Sequence, residues 1–543
     1  MKFSYIKKTG VVVLTVLIFI STTAYRNDYF EIAKQIEIFT TLFKEINMNY
    51  VDETNPAKLM QEGLRHMLEG LDPYTTYLSE QDVESARMNR GAAYVGIGAT
   101  VKESDKKLIV VEVFEGLPAD EKGIKAGDEI IKIDGNEVAE LEGVAQEFLN
   151  GKKNTNVSLL ILSNGSIKTV VVKREGIEPK AVPTAKILAD GVGYIALDRF
   201  SKTASREVEN ALKVLIIDEA KGVILDLRNN PGGLLQEAVK IVNLFVQKGQ
   251  LVVSTKSNIA AYNQEFRTTK QPLSLEIPLV ILINEKSASA SEIVAGALQD
   301  LDRAVVLGTR SFGKGLVQRP KPMPYGGQLK VTISRYYTPS GRCIQALDYR
   351  NRGEDGKASR YQEINYKAFQ TQNGRTVFDG GGVSPDVLGE KKESSTFINR
   401  LIKSAVVFNY VNNYYHNNSL DDIKDFKLSK SDFNQFKKRC YGSQGFLKDE
   451  TITYLNGFSS IIKDAGLAGL DDKLKELNGV LNKSKVELMD HHKEEIIYVL
   501  EKEIVRRFYY RKGMYEYYLL KNEDVITAQR LLNNIEAYLS ILK

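Results

Sequence analysis

The spacing of apolar and polar residues divides the chain into four stretches of different character. From residue 29 to about 85, apolar side chains recur every three to four positions, which predicts amphipathic helices. Between about 90 and 176, short β-branched runs are separated by Gly, Asp and Asn turns, which predicts a β-rich module. Strand-like and helical runs alternate from about 190 to 345, and helical spacing alone returns after about 390.

The alternating stretch predicts a layered α/β core, because a helix that follows each strand packs back on the sheet. Strands are predicted at Gly193–Leu197, Val223–Leu227, Leu279–Ile283 and Ala304–Leu307, with helices near 204–218, near 233–247 and after Ser289. In the β-rich module, strands are predicted around 109–111, 130–133, 158–162 and 169–172, with short helices at 119–126 and 143–150. Apolar stripes after residue 390 indicate the core-facing sides of helices in an all-helical domain. The predicted fold class is therefore multidomain α+β.

The amino terminus has the pattern of an export signal. Three lysines among the first eight residues precede the apolar run Val11–Ile20, and the small residues 21–24 follow. The apolar run is shorter than the roughly 20 residues of a membrane span. Residues 1–24 are therefore predicted to be a cleaved signal peptide or, alternatively, an uncleaved anchor that tethers the chain to a membrane. Both alternatives predict an exported protein, periplasmic or attached to the outer face of the cytoplasmic membrane.

Composition narrows the classes of partner and cofactor. Hydrophobic residues make up 43% and charged residues 26% of the 543 residues, close to a soluble globular average. The net charge of +5 is spread along the chain, which predicts no nucleic-acid partner. The two cysteines, Cys343 and Cys440, show no paired Cys/His spacing, so no structural metal site is predicted. No pattern indicates an organic cofactor.

The candidate chemistry is a serine and a lysine in a region without histidine. Residues 67–415 contain none of the four histidines, so the usual base of a serine hydrolase is missing. Ser289 lies at a predicted helix start, and Lys314 lies in a glycine-flanked turn. A neutral lysine amine can activate a serine hydroxyl. The alternatives are that Ser289 only caps the helix, through an S-x-x-E capping box with Glu292, and that Lys314 is a solvated surface charge.

Neighbouring residues complete a candidate serine site. A helix start favours negative charge, so the Ala290 amide can point at an oxyanion formed by attack from Ser289. Glycines in the loop after the predicted strand at 223–227 can supply a second amide, from Gly232 or Gly233. Gln318 lies four residues after Lys314 and shares its side of either a helix or a strand, so it can hold the amine.

The order and spacing of these motifs resemble the carboxy-terminal processing peptidases, or tail-specific proteases, of serine peptidase family S41. The motifs are LDLRNNPGG at 225–233, SASASEIVAGALQD at 287–300 and GTRSFGKGLVQ at 308–318, with flanking matches at 71–78 and 337–342. The resemblance covers about residues 30–390. It implies a crotonase-like α/β protease core with an inserted PDZ domain, after a helical amino-terminal segment and before an all-helical carboxy-terminal domain.

The resemblance also implies roles for the candidate residues. Ser289 corresponds to the nucleophile, Lys314 to the general base and Gln318 to its orienting partner. Ala290 and either Gly232 or Gly233 correspond to the oxyanion hole. In the β-rich module, Val95, Gly96, Ile97 and Gly98 correspond to the loop of a PDZ domain that binds a peptide carboxylate.

Domain bounds and function follow as expectations. We expect a helical region at 25–88, a PDZ domain at 89–176, a peptidase core at 177–390 and a helical domain at 391–543. The expected protein is an exported serine endopeptidase that binds polypeptides by free, apolar carboxy termini and cleaves through an acyl-enzyme, with a homo-oligomer left open. The alternatives are a catalytically silent PDZ adaptor on a protease scaffold and a crotonase-like acyl-CoA enzyme.

Overall fold

The computed structural model describes residues 29–80, 82–83, 94–141, 144–353, 356, 358–390, 396–442, 457–462, 470–519 and 521–543. The predicted signal peptide or anchor lies outside these residues. None of the helices in the described ranges combines the length and the apolar character that a membrane crossing needs. The chain divides into two units, Met1–Tyr77 with Leu329–Val331 and Leu78–Gln328 with Thr332–Lys543.

The helices have the following bounds: α1 29–49, α2 Pro56–Glu69, α3 Pro118–Glu121, α4 Ala204–Ile217, α5 Leu235–Val242, α6 Ala290–Asp300, α7 Thr396–Lys403, α8 Ala405–Asn417, α9 Lys430–Gly442, α10 457–462, α11 Asp471–His491, α12 Lys493–Leu519, α13 Glu523–Asn533 and α14 Ile535–Ile541.

The strands have the following bounds: β1 Thr76–Leu78, β2 Tyr94–Gly96, β3 Ala99–Ser104, β4 Lys107–Val113, β5 Glu129–Ile133, β6 Asn136–Glu137, β7 Asn156–Ser163, β8 Ser166–Lys173, β9 Glu175–Ile177, β10 Thr184–Ile187, β11 Gly193–Ala196, β12 Val223–Asp226, β13 Leu251–Lys256, β14 Gln264–Arg267, β15 Leu279–Ile283, β16 Val305–Gly308, β17 Leu316–Pro322, β18 Gln328–Tyr337, β19 Leu347–Arg352, β20 Ala358–Arg360, β21 Ala368–Gln370, β22 Thr376–Phe378 and β23 Val387–Leu388.

In the first unit, the predicted amphipathic helices are α1 and α2. Helix α2 begins where Asn55 accepts a hydrogen bond from the Lys58 backbone and Pro56 occupies the first turn, as is usual at helix starts. The carboxylate of Asp72 accepts hydrogen bonds from the backbones of Tyr74 and Thr75, which closes a turn at the predicted break.

The core of the second unit is a six-stranded sheet with the order β10-β11-β12-β15-β16-β23. Strand β10 is antiparallel to β11, and the remaining neighbours are parallel. The predicted alternation of strands with α4, α5 and α6 is confirmed. Because β12 and β15 are adjacent and parallel, the turns that follow them meet at one edge of the sheet, where ligands of such sheets bind.

Both faces of this sheet are covered, which explains why its strands are apolar at almost every position. On one face, alternate strand residues such as Ile195, Leu225 and Ile281 pack with α4, α5 and α6. On the other face, Ile224 and Val280 pack with the last two helices, α13 and α14. The apolar stripe at the carboxy terminus therefore completes the protease core in addition to following the helical domain.

The β-rich module is an antiparallel sheet with the order β3-β4-β5-β7-β8, and β6 pairs with β5. Its four predicted strands are confirmed as β4, β5, β7 and β8. The predicted short helices are shorter than expected. The first ends as α3 because Gly123 and Gly127 adopt positive φ angles, and the second is a single 3₁₀ turn, Glu147–Leu149.

A charged cluster joins this module to the helical domain. Glu112 on β4 accepts hydrogen bonds of 2.8 and 2.9 Å from Arg511, and Arg506 lies 2.8 Å from the same carboxylate. Helix α12 is kinked at Tyr509 and Tyr510, and at the kink the Tyr510 hydroxyl donates to Asp120 at 2.6 Å. Burial raises the pKa of Glu112, but the hydrogen bond from Arg511 and the charges of both arginines lower it to about 2.

Leu532→Ala should destabilise the core, because it opens a cavity between α13 and the sheet. Leu532 is 4% exposed, whereas Leu539 on α14 is 47% exposed. Burial predicts a loss of about 2–5 kcal/mol in the free energy of unfolding for Leu532→Ala, measured by urea denaturation. Leu539→Ala is the matched control, and equal losses in the two variants would contradict the packing described.

Glu112→Gln should destabilise the junction in a pH-dependent way. The folded-state pKa lies below the usual value of about 4.3, so the carboxylate stabilises the fold above that value and stops doing so as the pH falls toward 2. The difference in thermal midpoint between wild type and Glu112→Gln should stay constant above about pH 5 and shrink below it. Thermal unfolding at a series of pH values measures this, and a difference that vanishes between pH 7 and 6 would refute it.

Candidate functional site

The centre of the candidate site is the buried carboxylate of Glu292, in the first turn of α6. One oxygen accepts hydrogen bonds from the Ser311 hydroxyl at 2.6 Å and the Gly313 backbone at 2.7 Å. The other accepts from the backbones of Ser289 at 2.8 Å and Lys314 at 2.9 Å. Burial raises the pKa of Glu292, and these hydrogen bonds lower it in part. One side chain therefore fixes the serine and lysine loops together.

Tyr336 on β18 makes a second link between the same two loops. Its hydroxyl is 3.2 Å from the carbonyl oxygen of Ser289 and also contacts the carbonyl oxygen of Lys314. The ring is buried at 1% exposure, so the hydroxyl has little freedom to move. The backbones of Ser289 and Lys314 thus converge on two buried side chains, one that accepts hydrogen bonds and one that donates.

Ser289 has a backbone conformation that an ordinary helix cap does not need. Its φ of 56° and ψ of −112° lie outside the extended region where N-cap residues usually lie. Such strain persists only where the surrounding structure enforces it, and it clusters at functional sites. The predicted capping box with Glu292 is present as well, and in it the Glu292 carboxylate accepts from the Ser289 backbone. Ser289 is half-buried, at the edge of the sheet where the turns meet.

The glycine turn after β12 lies directly against Ser289. A Cβ on Gly232 would lie 2.8 Å from the Ser289 Cβ and 2.9 Å from the Ala290 nitrogen. A Cβ on Gly233 would lie 2.4 Å from the Phe200 carbonyl oxygen. Both residues also have positive φ angles, 99° and 148°. Neither position has room for a side chain. Because glycine has none, the backbone of this turn can lie close to the backbone segments that contact it.

The amides in this region differ in their hydrogen bonding. The buried Gly232 amide donates to the Asn230 side chain at 2.9 Å. Within the described part of the chain, no acceptor is recorded for the amides of exposed Gly233 or of Ala290.

Two other serines of the motif fasten the serine loop to the glycine turn. The Ser287 hydroxyl donates to the Leu227 carbonyl at 2.8 Å, and the Ser291 hydroxyl donates to the Asn230 carbonyl at 2.9 Å. Both serines are fully buried, unlike Ser289. Of the three serines, Ser289 is therefore the one whose position is partly open.

The lysine loop continues into strand β17. Lys314 is half-buried between Gly313 and Gly315, and the latter amide donates to Gln345 at 2.8 Å. Gln318 is also half-buried, and its recorded hydrogen bond goes to the Thr332 hydroxyl on β18 at 3.3 Å. The structure therefore places Gln318 on the strand that follows Lys314, with its amide held by the neighbouring strand.

The sequence did not identify every residue that shapes this site. Glu292 was noted only as part of a capping box, and Tyr336 carried no signal. Arg228, in the glycine motif, is fully buried and pairs with Asp226 at 2.5 Å. A buried arginine is uncommon without a charged partner, so the D-x-R spacing was the available signal for it.

The predicted carboxylate-binding residues lie apart from this site: Val95 and Gly96 end β2, and Ile97 and Gly98 form the turn that leads into β3. The carbonyls of Val95, Ile97 and Gly98 accept hydrogen bonds from the backbones of Gly151, Ala119 and Phe114. Over the described ranges, the amides of Ile97 and Gly98 have no recorded acceptor. Gly98 has a φ of 80°, and a Cβ there would lie 2.6 Å from the Leu117 side chain.

Strand β3, which follows this loop, is at the end of its sheet and pairs with β4. Its second edge has no strand partner among the described residues. An edge of this kind can accept an extended peptide as an added strand, with a terminal carboxylate held by the adjacent amides.

No group of histidine, cysteine or acidic side chains in the described ranges is arranged to hold a metal ion.

Comparison with known proteins identifies three family models along the chain. "Peptidase family S41" matches residues 191–349 and "PDZ domain" matches 95–173. "Probable PDZ-protease, C-terminal helical domain" matches 397–532. These matches confirm the predicted fold class of an S41 protease core, a PDZ domain and a carboxy-terminal helical domain.

Individual proteins that match the chain also carry protease names. A "Carboxy-terminal-processing protease" of Bartonella bacilliformis is 36% identical over 336 residues, which are 60% of this chain and 76% of the relative. A "Probable CtpA-like serine protease" of Staphylococcus aureus is 35% identical over 311 residues, 56% of this chain and 61% of the relative. Among solved structures, a "Photosystem II D1 C-terminal processing protease" matches with 24% identity and a TM-score of 0.37, over 66% of this chain and 94% of that one.

Glu292→Gln should uncouple the serine from the lysine loop. Each carboxylate oxygen accepts two hydrogen bonds, so an amide in either orientation would point its NH₂ group at two donors. We expect the rate at which a fluorophosphonate phosphonylates Ser289, with loss of fluoride, to fall about 100-fold, because small displacements of a reacting group have effects of this size.

The matched control is Glu237→Gln on α5. Glu237 is also buried, at 3% exposure, and accepts from the Ser205 backbone at 2.9 Å and from Lys240 at 2.7 Å. Rates are compared for proteins with matching circular dichroism spectra. Phosphonylation at the same rate in both variants would show that Glu292 does not position the serine.

Proposed function

Because the chain belongs to the carboxy-terminal-processing proteases of peptidase family S41 and carries a PDZ domain, we propose that it is a serine endopeptidase with a Ser289–Lys314 dyad. The observation that carries this proposal is the double link between the two loops. Glu292 accepts from both backbones, and the Tyr336 hydroxyl lies within hydrogen-bond reach of both carbonyl oxygens. A lysine that only served as a surface charge would not need its backbone fastened to a strained serine.

The proposed reaction is peptide hydrolysis through an acyl-enzyme. The Ser289 hydroxyl attacks the substrate carbonyl carbon while the neutral amine of Lys314 accepts its proton. The lysine then protonates the leaving amine as the C–N bond breaks. Water adds to the resulting ester and gives a proton to the lysine, which returns it to the Ser289 oxygen as the ester C–O bond breaks and the carboxylic acid product leaves. No metal or organic cofactor takes part in these steps.

For the oxyanion, we propose the amides of Ala290 and Gly233. Two oriented N–H donors stabilise the negative charge of the tetrahedral intermediate, and each is typically worth about 100-fold or more in rate. Gly233 is preferred to Gly232 because the Gly232 amide already donates to Asn230. Gly232 then serves to allow the close approach to Ser289.

Gln318 is proposed to orient the lysine amine. Its side-chain nitrogen donates to Thr332, which leaves the amide oxygen as an acceptor for a lysine N–H. This role depends on the position of Gln318 two residues into β17.

The PDZ domain is proposed to bind the free carboxy terminus of a polypeptide substrate. The Ile97 and Gly98 amides would hold the carboxylate, and the edge of β3 would pair with the preceding residues. An apolar terminal side chain would suit the apolar residues around the loop, among them Leu117. We place the enzyme outside the cytoplasm because of its leader pattern.

The dyad is tested with an unstructured polypeptide that ends in apolar residues. Ser289→Ala and Lys314→Ala should each reduce its cleavage at least about 1,000-fold, as removal of a nucleophile or its base does in other serine proteases. Lys286→Ala, an exposed lysine in the same serine turn, is the matched control and should cleave at the wild-type rate.

Mass spectrometry of the products measures cleavage in each variant. Turnover in Lys314→Ala equal to that of wild type would refute the dyad. Tail binding by wild type without any hydrolysis would instead indicate a silent PDZ adaptor.

Tail capture is tested by amidating the carboxy terminus of the same polypeptide. Loss of the terminal charge should raise KM and leave kcat unchanged, because only binding at the PDZ loop is affected. Equal KM values for the acid and the amide would contradict recognition of the free carboxylate.

A further inference from the structure

Arg228 connects the glycine turn to the last helices of the chain. Its Nε donates to one Asp226 oxygen at 2.9 Å, and one terminal nitrogen donates to the other at 2.5 Å. Its second terminal nitrogen donates to Asn522 at 2.8 Å and Asp524 at 2.9 Å. The Tyr518 ring lies 5.0 Å from the guanidinium carbon. Four of the five N–H groups of Arg228 are therefore used inside the protein.

The arginine does not itself face a substrate. Its side chain is 3% exposed, and its hydrogen bonds point to Asp226 and to the start of α13. A buried guanidinium is stable only when its charge is paired, so removing one carboxylate changes where it can lie. Any effect of Arg228 on chemistry must therefore act through the backbone that carries it.

That backbone leads directly to the candidate oxyanion donor. Asn229, next in sequence, has a φ of 61°, and its amide donates to the Asn284 side chain at 2.9 Å. The Asn230 side chain donates to the Leu197 carbonyl and accepts from Gly232. The turn from Arg228 to Gly233 is thus fixed residue by residue, and Arg228 anchors its first position.

The α13 partners are themselves held in place. Asn522 accepts from the Val525 backbone at 3.1 Å and so caps α13 while it also binds Arg228. The second oxygen of Asp524 accepts from the Glu390 backbone at 3.0 Å. The Asp524 side chain is 15% exposed, so this ion pair is largely shielded from water.

We propose that Asp524 and Asn522 are positioning residues for catalysis, which hold Arg228 and through it the amide of Gly233 against the reacting carbonyl. The proposal rests on the proposed protease function and adds to it. It gives the start of α13 a role in catalysis, although Asn522 and Asp524 lie almost 300 positions after Arg228 in sequence.

The main test is Asp524→Asn, assayed on the apolar-tailed polypeptide with the full-length protein. The substitution keeps the shape of the side chain and removes its charge, so Arg228 shifts toward Asp226. We expect kcat to fall about 10- to 100-fold while KM stays at the wild-type value, since substrate capture takes place at the PDZ loop.

Asp190→Asn is the matched control. Asp190 accepts from Gln529 at 2.9 Å and Asn533 at 2.6 Å, so it fastens the same helix to the core away from the glycine turn. This variant should lower the thermal midpoint and leave kcat unchanged. If Asp524→Asn reduces kcat no more than Asp190→Asn does, the start of α13 has only a structural role and the proposal is overturned.

A second variant, Asn522→Ser, keeps a good helix cap but shortens the side chain that reaches Arg228. It should lower kcat by a smaller factor than Asp524→Asn, with an unchanged thermal midpoint. Unchanged kcat in this variant would also count against the proposal. The outcome is separable from that of the dyad, because cleavage that survives Ser289→Ala refutes the Ser289–Lys314 dyad whatever the α13 variants do.

Discussion

The four hydrogen bonds to the Glu292 carboxylate are the constraint on which the rest of the site depends. They join a helix start, a strained serine and a glycine-flanked lysine loop, which belong to different parts of the sheet. A buried carboxylate needs such donors, and backbone amides in tight loops need such an acceptor. The two requirements satisfy each other only in one arrangement of the loops. The geometry around Ser289 therefore depends on backbone amides that share one buried side-chain acceptor, Glu292.

The sheet explains why these loops can meet at all. Parallel neighbours bring the ends of β12 and β15 to one edge, and covering helices on both faces exclude water from the strands. The glycine turn then approaches the serine closely because Gly232 and Gly233 carry no side chain. The order of the strands limits where the glycine turn can lie, and the turn limits where its amides can point.

Much of this arrangement could be predicted from the sequence, but only the parts that depend on local pattern. The strands and helices around the serine follow from apolar periodicity, and the motif residues follow from their order and spacing. The contacts of Glu292 and Tyr336 could not be predicted, because they join segments whose relative placement depends on tertiary packing. The same holds for α13 and α14, whose apolar stripes indicated a buried side without showing that the catalytic sheet is what they cover. The spacing between Lys314 and Gln318 is also insufficient, because it does not determine which neighbouring residue the Gln318 side-chain amide binds.

The long separation between Arg228 and α13 has a consequence for the order in which the protein is built. A chain made from its amino terminus presents the serine, the lysine and the PDZ domain well before residues 522–542 exist. Until those residues arrive, one face of the sheet stays uncovered and the guanidinium of Arg228 lacks half its partners. On our proposal, the glycine turn therefore gains its last anchors only after α13 and α14 have been synthesised and have packed on the sheet.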